Sequence, residues 1–203
     1  SRFNKVWIVD NALPPYLSGK LGHPIKLPKN AVYIGLLSQL KVPEHIATTN
    51  EKNILILLSG PEPQRSILQE KLLQQAQTLT EYNFQLVAGN PSSPTPNNLP
   101  KHIQFFTHFN SEEVAMAMQD AALVIGRSGY STLMDLCQMQ KKALLIPTPG
   151  QTEQEYLAQY LEQNNIAIHT SQEEILLKVQ IPEAFAAKGF DMGTIPNGAA
   201  LQS

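Results

Sequence analysis

The sequence predicts an α/β domain built on a parallel sheet. Two observations carry this. From Asn53 onward, short apolar runs alternate with segments of helical periodicity, the order that βα units require. The first of those runs, Asn53 to Leu58 (NILILL), is almost continuously apolar, as strands covered on both faces are.

Ahead of that rhythm, Lys5 to Asp10 reads as a strand ending in a turn-prone Asp-Asn pair, and Ala31 to Leu36 as a second. Between them Pro14, Pro15, Gly19, Gly22, Pro24 and Pro28 make loop chemistry. A polar segment, Lys41 to Lys52, follows. After the Asn53 strand, Gln64 to Leu79 places Ile67, Leu68, Leu72, Leu73 and Ala76 on a helix face. Strands are expected at Phe84–Val87, Ile103–Phe106, Leu123–Ile125, Ala143–Ile146 and Ile166–Ile168. Helices are expected at Asn110–Ala121, Ser128–Met139, Thr152–Gln163 and Ser171–Val179. Three of these begin with capping-box pairs: Asn110 with Glu113, Thr152 with Glu155, and Ser171 with Glu174. The tail from Gly189 carries Gly and Pro and is expected to dock elsewhere or fray. Residues 1–40 do not share the βα rhythm. They read as a linker or the end of another domain, with residues 41–203 as the α/β domain.

Composition narrows the function. With 203 residues, 42% hydrophobic and 16% charged, the chain can form a core and is not wholly disordered. Fifteen Lys and Arg against 17 Asp and Glu give a net charge of -2, with no basic excess to drive nucleic-acid binding. The lone Cys137 excludes an internal disulfide framework and a cysteine metal cluster, and a buried structural thiol is its expected role. None of the five His falls in a HExxH pattern, and no metal or cofactor is expected. His108 is expected at the surface or satisfied, and Trp7 in packing. Apolar runs such as Ile54 to Leu58 are too short to span a bilayer, and no signal-peptide pattern precedes the first strand. The chain opens on Ser1 rather than Met, as a piece cut from a longer polypeptide would. A soluble protein of a reducing compartment, cytoplasmic by default, is the expectation.

Open parallel sheets bind ligands beyond the carboxyl ends of their strands. Three loops there carry candidate groups. In Ser59 to Arg65, Gly60 permits close backbone approach and Arg65 offers a fixed positive charge for an anion, although the P-loop spacing is missing. The alternative is an ordinary strand–helix turn with a solvated Arg. In Gly126 to Asp135, the small residues around Arg127 and Ser128 bring backbone near a ligand, and free amides at Gly129, Tyr130 and Ser131 would favour a phosphate. Ser128, Ser131 and Asp135 share one helical face, with Asp135 about 10 Å along the axis from Ser128. That roughly matches the span from a phosphate to a ribose, whose hydroxyls a carboxylate can accept. A capped amphipathic helix with an exposed Asp is the alternative. In Pro147 to Glu155, the groups of Gln151, Glu153, Gln154 and Glu155 suit sugar hydroxyls, or else complement a helix dipole.

The runs Val124 to Asp135 (VIGRSGYSTLMD) and Leu144 to Ala158 (LLIPTPGQTEQEYLA) resemble the donor-binding half of family 28 glycosyltransferases, GT-B enzymes related to the GlcNAc transferase that makes lipid II. Trp7 to Asp10, Leu17 to Pro24, Tyr33 to Ser38 and Ser59 to Arg65 are similar to segments of further bacterial members. The resemblance implies a Rossmann-like parallel sheet with helices on both faces, one half of a GT-B fold, preceded by the end of the N-terminal domain. It implies a nucleotide-sugar donor, a UDP-sugar and in particular UDP-N-acetylhexosamine, with the diphosphate over Ser128 to Ser131. Asp135 stands where the family usually has a ribose-binding Glu. Gln154 aligns with a glutamine that contacts the donor sugar, and the base would lie against backbone near Phe109. Gln151 and Glu155 fall where the family often reads DHQxxNA, which this chain departs from, as it does at Ala158. The first loop lacks the family's GGSxG pattern, and Arg65 is the substitute source of phosphate charge. The family's general base belongs to the acceptor domain, so no catalytic residue is assigned here. The acceptor is unidentified, and any peripheral membrane contact would run through that other domain.

Three functions follow: a glycosyltransferase, another GT-B chemistry such as a UDP-GlcNAc 2-epimerase or a nucleotide-sugar hydrolase, and a noncatalytic α/β binding module.

Overall fold

The computed structural model describes residues 3–43, 50–92 and 94–191. The polar segment expected over residues 41–52 lies partly outside them, as does the tail past Asp191.

Six parallel strands form the main sheet: β3 (Asn50–Leu57), β4 (Asn83–Val87), β5 (Ile103–Phe106), β6 (Ala121–Gly126), β7 (Lys142–Leu145) and β8 (Ile168–His169). Their order is β5-β4-β3-β6-β7-β8. The chain winds outward from β3 in one direction and from β6 in the other. The crevice where ligands bind in such sheets therefore opens between the loops after β3 and β6.

Alternation along the strands sends apolar side chains to two cores. Leu55, Val124, Ala143 and Leu145 face one side, against α2 (Ser111–Asp120), α3 (Tyr130–Gln138) and α4 (Thr152–Gln163). Ile54, Ile56, Leu123, Ile125 and Leu144 face the other, against α1 (Gln64–Ala76) and α5 (Leu177–Ala186). Helices thus cover both faces, as the sequence predicts.

A second, two-stranded parallel sheet joins β1 (Val6–Ile8) to β2 (Ala31–Tyr33). The segment carrying it is not detached. Leu17, Leu36 and Leu40 sit in the same core as α2, α3 and α4. Trp7, expected in packing, is instead 60% exposed, beside Val32 in register on β2.

Several boundaries differ from expectation. The helix expected over Ser171–Val179 begins only at Leu177. Ser171 and Glu174 do exchange hydrogen bonds, but they close a turn. The cause is tertiary: Lys71 donates to the carbonyls of Gln172 and Glu173, and Gln75 donates to that of Ile175, so α1 claims acceptors a helix would have used. The Asn110–Glu113 capping box is formed on both sides. At α4 the box is not formed, because Thr152 is the first helical residue and Gln151 the cap position. The chain after α5 docks at first: Phe190 is fully buried, its amide bonded to the carbonyl of Lys141.

Candidate active site at the sheet switch point

The β6 strand delivers Arg127, Ser128 and Gly129 to the crevice, and α3 starts immediately after them. Gly129 is the cap residue, with φ -66° and ψ 142°, and has no side chain to accept from the helix. The first amides of a helix have no partner within it, so this end offers N–H groups and the positive pole of the helix dipole.

Around that end the structure joins three loops. The Ser128 hydroxyl donates to the Gln154 carbonyl at 2.8 Å. The side chain of Gln154 accepts from the Thr148 amide at 2.9 Å and donates to Gln151 Oε1 at 2.5 Å. A Cβ built on Gly129 would lie 4.0 Å from Gln154 Nε2, so this amide borders the mouth of the helix. Across from it, Gly60 adopts φ +99°, and a Cβ there would lie 3.7 Å from Thr148 Oγ1. Thr148 is 2% exposed, and its Oγ1 has no hydrogen-bond partner. Gly60, Gln151, Gln154, Ser128 and Gly129 therefore converge, and Thr148, which the sequence reading passed over, stands among them. A hydroxyl two residues past the expected Ala143–Ile146 strand, between two prolines, was its available signal.

Other candidates are placed differently. Arg127 does not present its guanidinium to the crevice. It is 2% exposed and donates to the carbonyls of Ile146, Pro147 and Gln64 and to Gln172 Oε1. Burial pulls it down to about 10, with Glu173 opposing, so it stays charged at neutral pH. Its role here is to brace the loops after β6 and β7 from beneath. Arg65 is half-buried, paired with Glu62 at 2.5 Å and donating to the Gly89 carbonyl at 2.9 Å. Glu155 is exposed and accepts from the Gly150 amide at 3.0 Å. Ser131 is exposed on the first turn of α3. Tyr130 turns its hydroxyl to the Val9 carbonyl at 2.6 Å, and burial holds the phenol well above its usual range. Phe109 stacks at a tilt on Phe106, ring centroids 4.7 Å apart, after the edge strand β5.

Asp135 lies two-thirds along α3, half-buried, and accepts from the Ser38 hydroxyl at 2.6 Å. Burial pushes its carboxyl above the ordinary range, and the Ser38 bond opposes that shift. Ser38 lies in the Tyr33 to Ser38 segment, and no sequence signal pairs it with a residue 97 positions away.

Among the described residues, no group of three or more His, Cys, Asp or Glu is placed to hold a metal. His108 is exposed and Cys137 is buried, as expected. No described helix is long and apolar enough to cross a membrane.

The family model for the glycosyltransferase family 28 C-terminal domain matches residues 55–188. The chain belongs to this family. No curated protein matches it. Among solved structures, the glycotransferase of kitacinnamycin superposes with a TM-score of 0.66 at 14% identity, covering 84% of this chain and 45% of that one. Acinetobacter baumannii MurG gives 0.53 at 23%, covering 70% and 43%. The spinosyn rhamnosyltransferase SpnG, complexed with thymidine diphosphate, gives 0.59 at 13%, covering 85% and 48%. The family 28 domain thus has the fold of one half of a GT-B glycosyltransferase, and the chain spans less than half the length of these enzymes. Within it, the match begins in β3 and ends just after α5, so the crevice loops all fall inside the family-defining region.

Proposed function

We propose that this chain is the donor-binding half of a glycosyltransferase that transfers a sugar from a UDP-sugar, an N-acetylhexosamine, to an acceptor held by another domain. The observation that carries the reading is the side-chain-free cap of α3 at the switch point, bordered by Gly60, Gln154 and the unpartnered Thr148 hydroxyl. A pyrophosphate seated on the amides of Gly129 to Ser131 would be stabilised there as negative charge builds on the departing nucleoside diphosphate, an electrostatic contribution that requires no proton transfer. Asp135 would take the ribose hydroxyls, Gln154 and Gln151 the sugar, and backbone near Phe109 the base. The bracing of Arg127 under two of these loops supports a fixed cradle rather than one assembled on binding. Thymidine diphosphate bound to SpnG, a protein of the same fold, supports the nucleoside-diphosphate class.

Residues 1–40 are read as the end of the preceding domain and its linker, with the donor domain from residue 41. Two parallel strands alone are a poor sheet, since parallel sheets are ordinarily covered on both faces. The exposed Trp7 and Val32 face is consistent with a layer supplied from elsewhere.

Titration of the chain with UDP-, GDP- and TDP-sugars, followed by amide NMR, tests the reading. Saturable shifts at Gly126 to Ser131 are expected. No binding at millimolar ligand would remove it and favour a noncatalytic module. Product analysis on the longer protein separates transfer from epimerisation and hydrolysis.

A further inference from the structure

We propose that Ser38 is a positioning residue for nucleotide binding, fixing the Asp135 carboxylate so that its second oxygen is presented to the ribose. The inference rests on the reading of Asp135 as the ribose-binding group.

The geometry is specific. Ser38 Oγ accepts the Leu40 amide at 3.0 Å and donates to Asp135 Oδ1 at 2.6 Å. A hydroxyl has one proton, and with a lone pair committed to Leu40 that proton has a defined direction. The bond to a carboxylate is of the short, charge-assisted kind. Leu36 and Leu40 on either side are 6% and 7% exposed in the core, so the backbone bearing Ser38 is held from both directions. The neighbouring Leu37 amide points to Met134 Sδ at 3.3 Å, on the same helix as Asp135. An Asp side chain held at Oδ1 loses the rotation that would otherwise scatter Oδ2. Ser38 does not touch the ligand in this account. It sets the carboxylate that does. The segment joining β2 to the donor domain thereby acquires a direct influence on donor affinity.

The test is calorimetric titration of the full 203-residue chain with UDP and with 2′-deoxyuridine diphosphate, using S38A, S38T, D135N and S38A/D135N. The S38A change is expected to weaken UDP binding about fivefold, with S38T restoring it to within about twofold. In the D135N background the same change is expected to cost less than about twofold, and likewise with the 2′-deoxy ligand. If D135N weakens UDP binding while S38A leaves it unchanged, or if S38A costs as much without Asp135 as with it, Ser38 has no positioning role. If D135N itself binds UDP like the parent, the ribose reading is wrong and the proposal goes with it. Circular dichroism of each variant keeps unfolding separate from lost affinity.

Discussion

Arg127 donates to Gln172 Oε1 at 2.6 Å, tying the loop after β6 to the turn after β8. Gln172 in turn donates to Gln64 Oε1 at 2.8 Å, and Arg127 reaches the carbonyls of Gln64, Ile146 and Pro147. One guanidinium therefore satisfies acceptors from three crossing points at the carboxyl end of the sheet. Deleting it strands several buried oxygens at once, which is the expensive case. The R127A variant is expected to lose about 2–4 kcal/mol of stability. R127K should recover little, since a point-charge ammonium cannot match the planar fork. Urea unfolding measures both, and a midpoint unmoved by R127A would show the network to be dispensable.

Asp10 plays a comparable part for the opening segment. It is fully buried and accepts from the amides of Asn11, Leu17 and Ser18 and from the Ser18 hydroxyl. His23, stacked between Tyr16 and Tyr33, sits 3.3 Å from it through Nε2. The D10N substitution keeps the shape but turns one acceptor into a donor facing donors. Hydrogen exchange at Leu17 and Ser18 is expected to accelerate by at least about tenfold in D10N, with the amides of β3 and β6 little changed. Uniform acceleration across the chain would mean that the segment and the domain unfold as one unit.

The carboxyl of Asp135 gives a pH signature with a definite sign. Its folded-state pKa lies above the ordinary 3.8 because burial disfavours the charge. The folded chain therefore keeps this proton where the unfolded chain has lost it. That contribution to stability is full below the unfolded pKa and is lost as pH rises through the folded one. Binding runs the other way, since only the carboxylate accepts from both ribose hydroxyls. UDP affinity should fall as pH drops through the raised pKa, and D135N should flatten that limb. At neutral pH D135N should be no less stable than the parent while binding UDP about tenfold more weakly. Parallel pH dependence in parent and variant would place the titrating group elsewhere.

What the sequence could express was local. Apolar runs and helical spacing located β3 to β7 and α1 to α4 because burial leaves a period in the chain, whereas the last strand and helix were expected too early, at Ile166–Ile168 and Ser171–Val179 against Ile168–His169 and Leu177–Ala186. The Asn110 cap was legible because all its atoms lie within four residues. Ser171 looked equally good and became a turn, since Lys71 and Gln75, a hundred residues earlier, take the carbonyls a helix needs. The site divides in the same way. Gly129 and Gln154 could be picked out from spacing and resemblance. Arg127 could not be separated from a ligand-facing arginine, because only the assembled loops reveal that its acceptors lie beneath the crevice. Thr148 and Ser38 acquire meaning only from partners that the fold brings to them.

The cap of α3 can be used to set binding against stability. Gly129 has φ -66°, a value any residue adopts, and a Cβ there meets nothing closer than Gln154 Nε2 at 4.0 Å. An aspartate can therefore enter without strain. Its carboxylate would accept from the first amides of the helix and complement the dipole, so G129D is expected to gain from a few tenths to about 1 kcal/mol of stability. The same carboxylate would occupy the amides assigned to the pyrophosphate and repel it, so UDP affinity should drop by more than about tenfold. G129S is the companion variant, filling the cap without the charge, and should retain more affinity than G129D. Thermal denaturation and calorimetry on the same samples read the two effects. A variant that is more stable yet binds UDP as the parent does would put the diphosphate somewhere other than this helix end, since no general damage to the fold produces gains in stability.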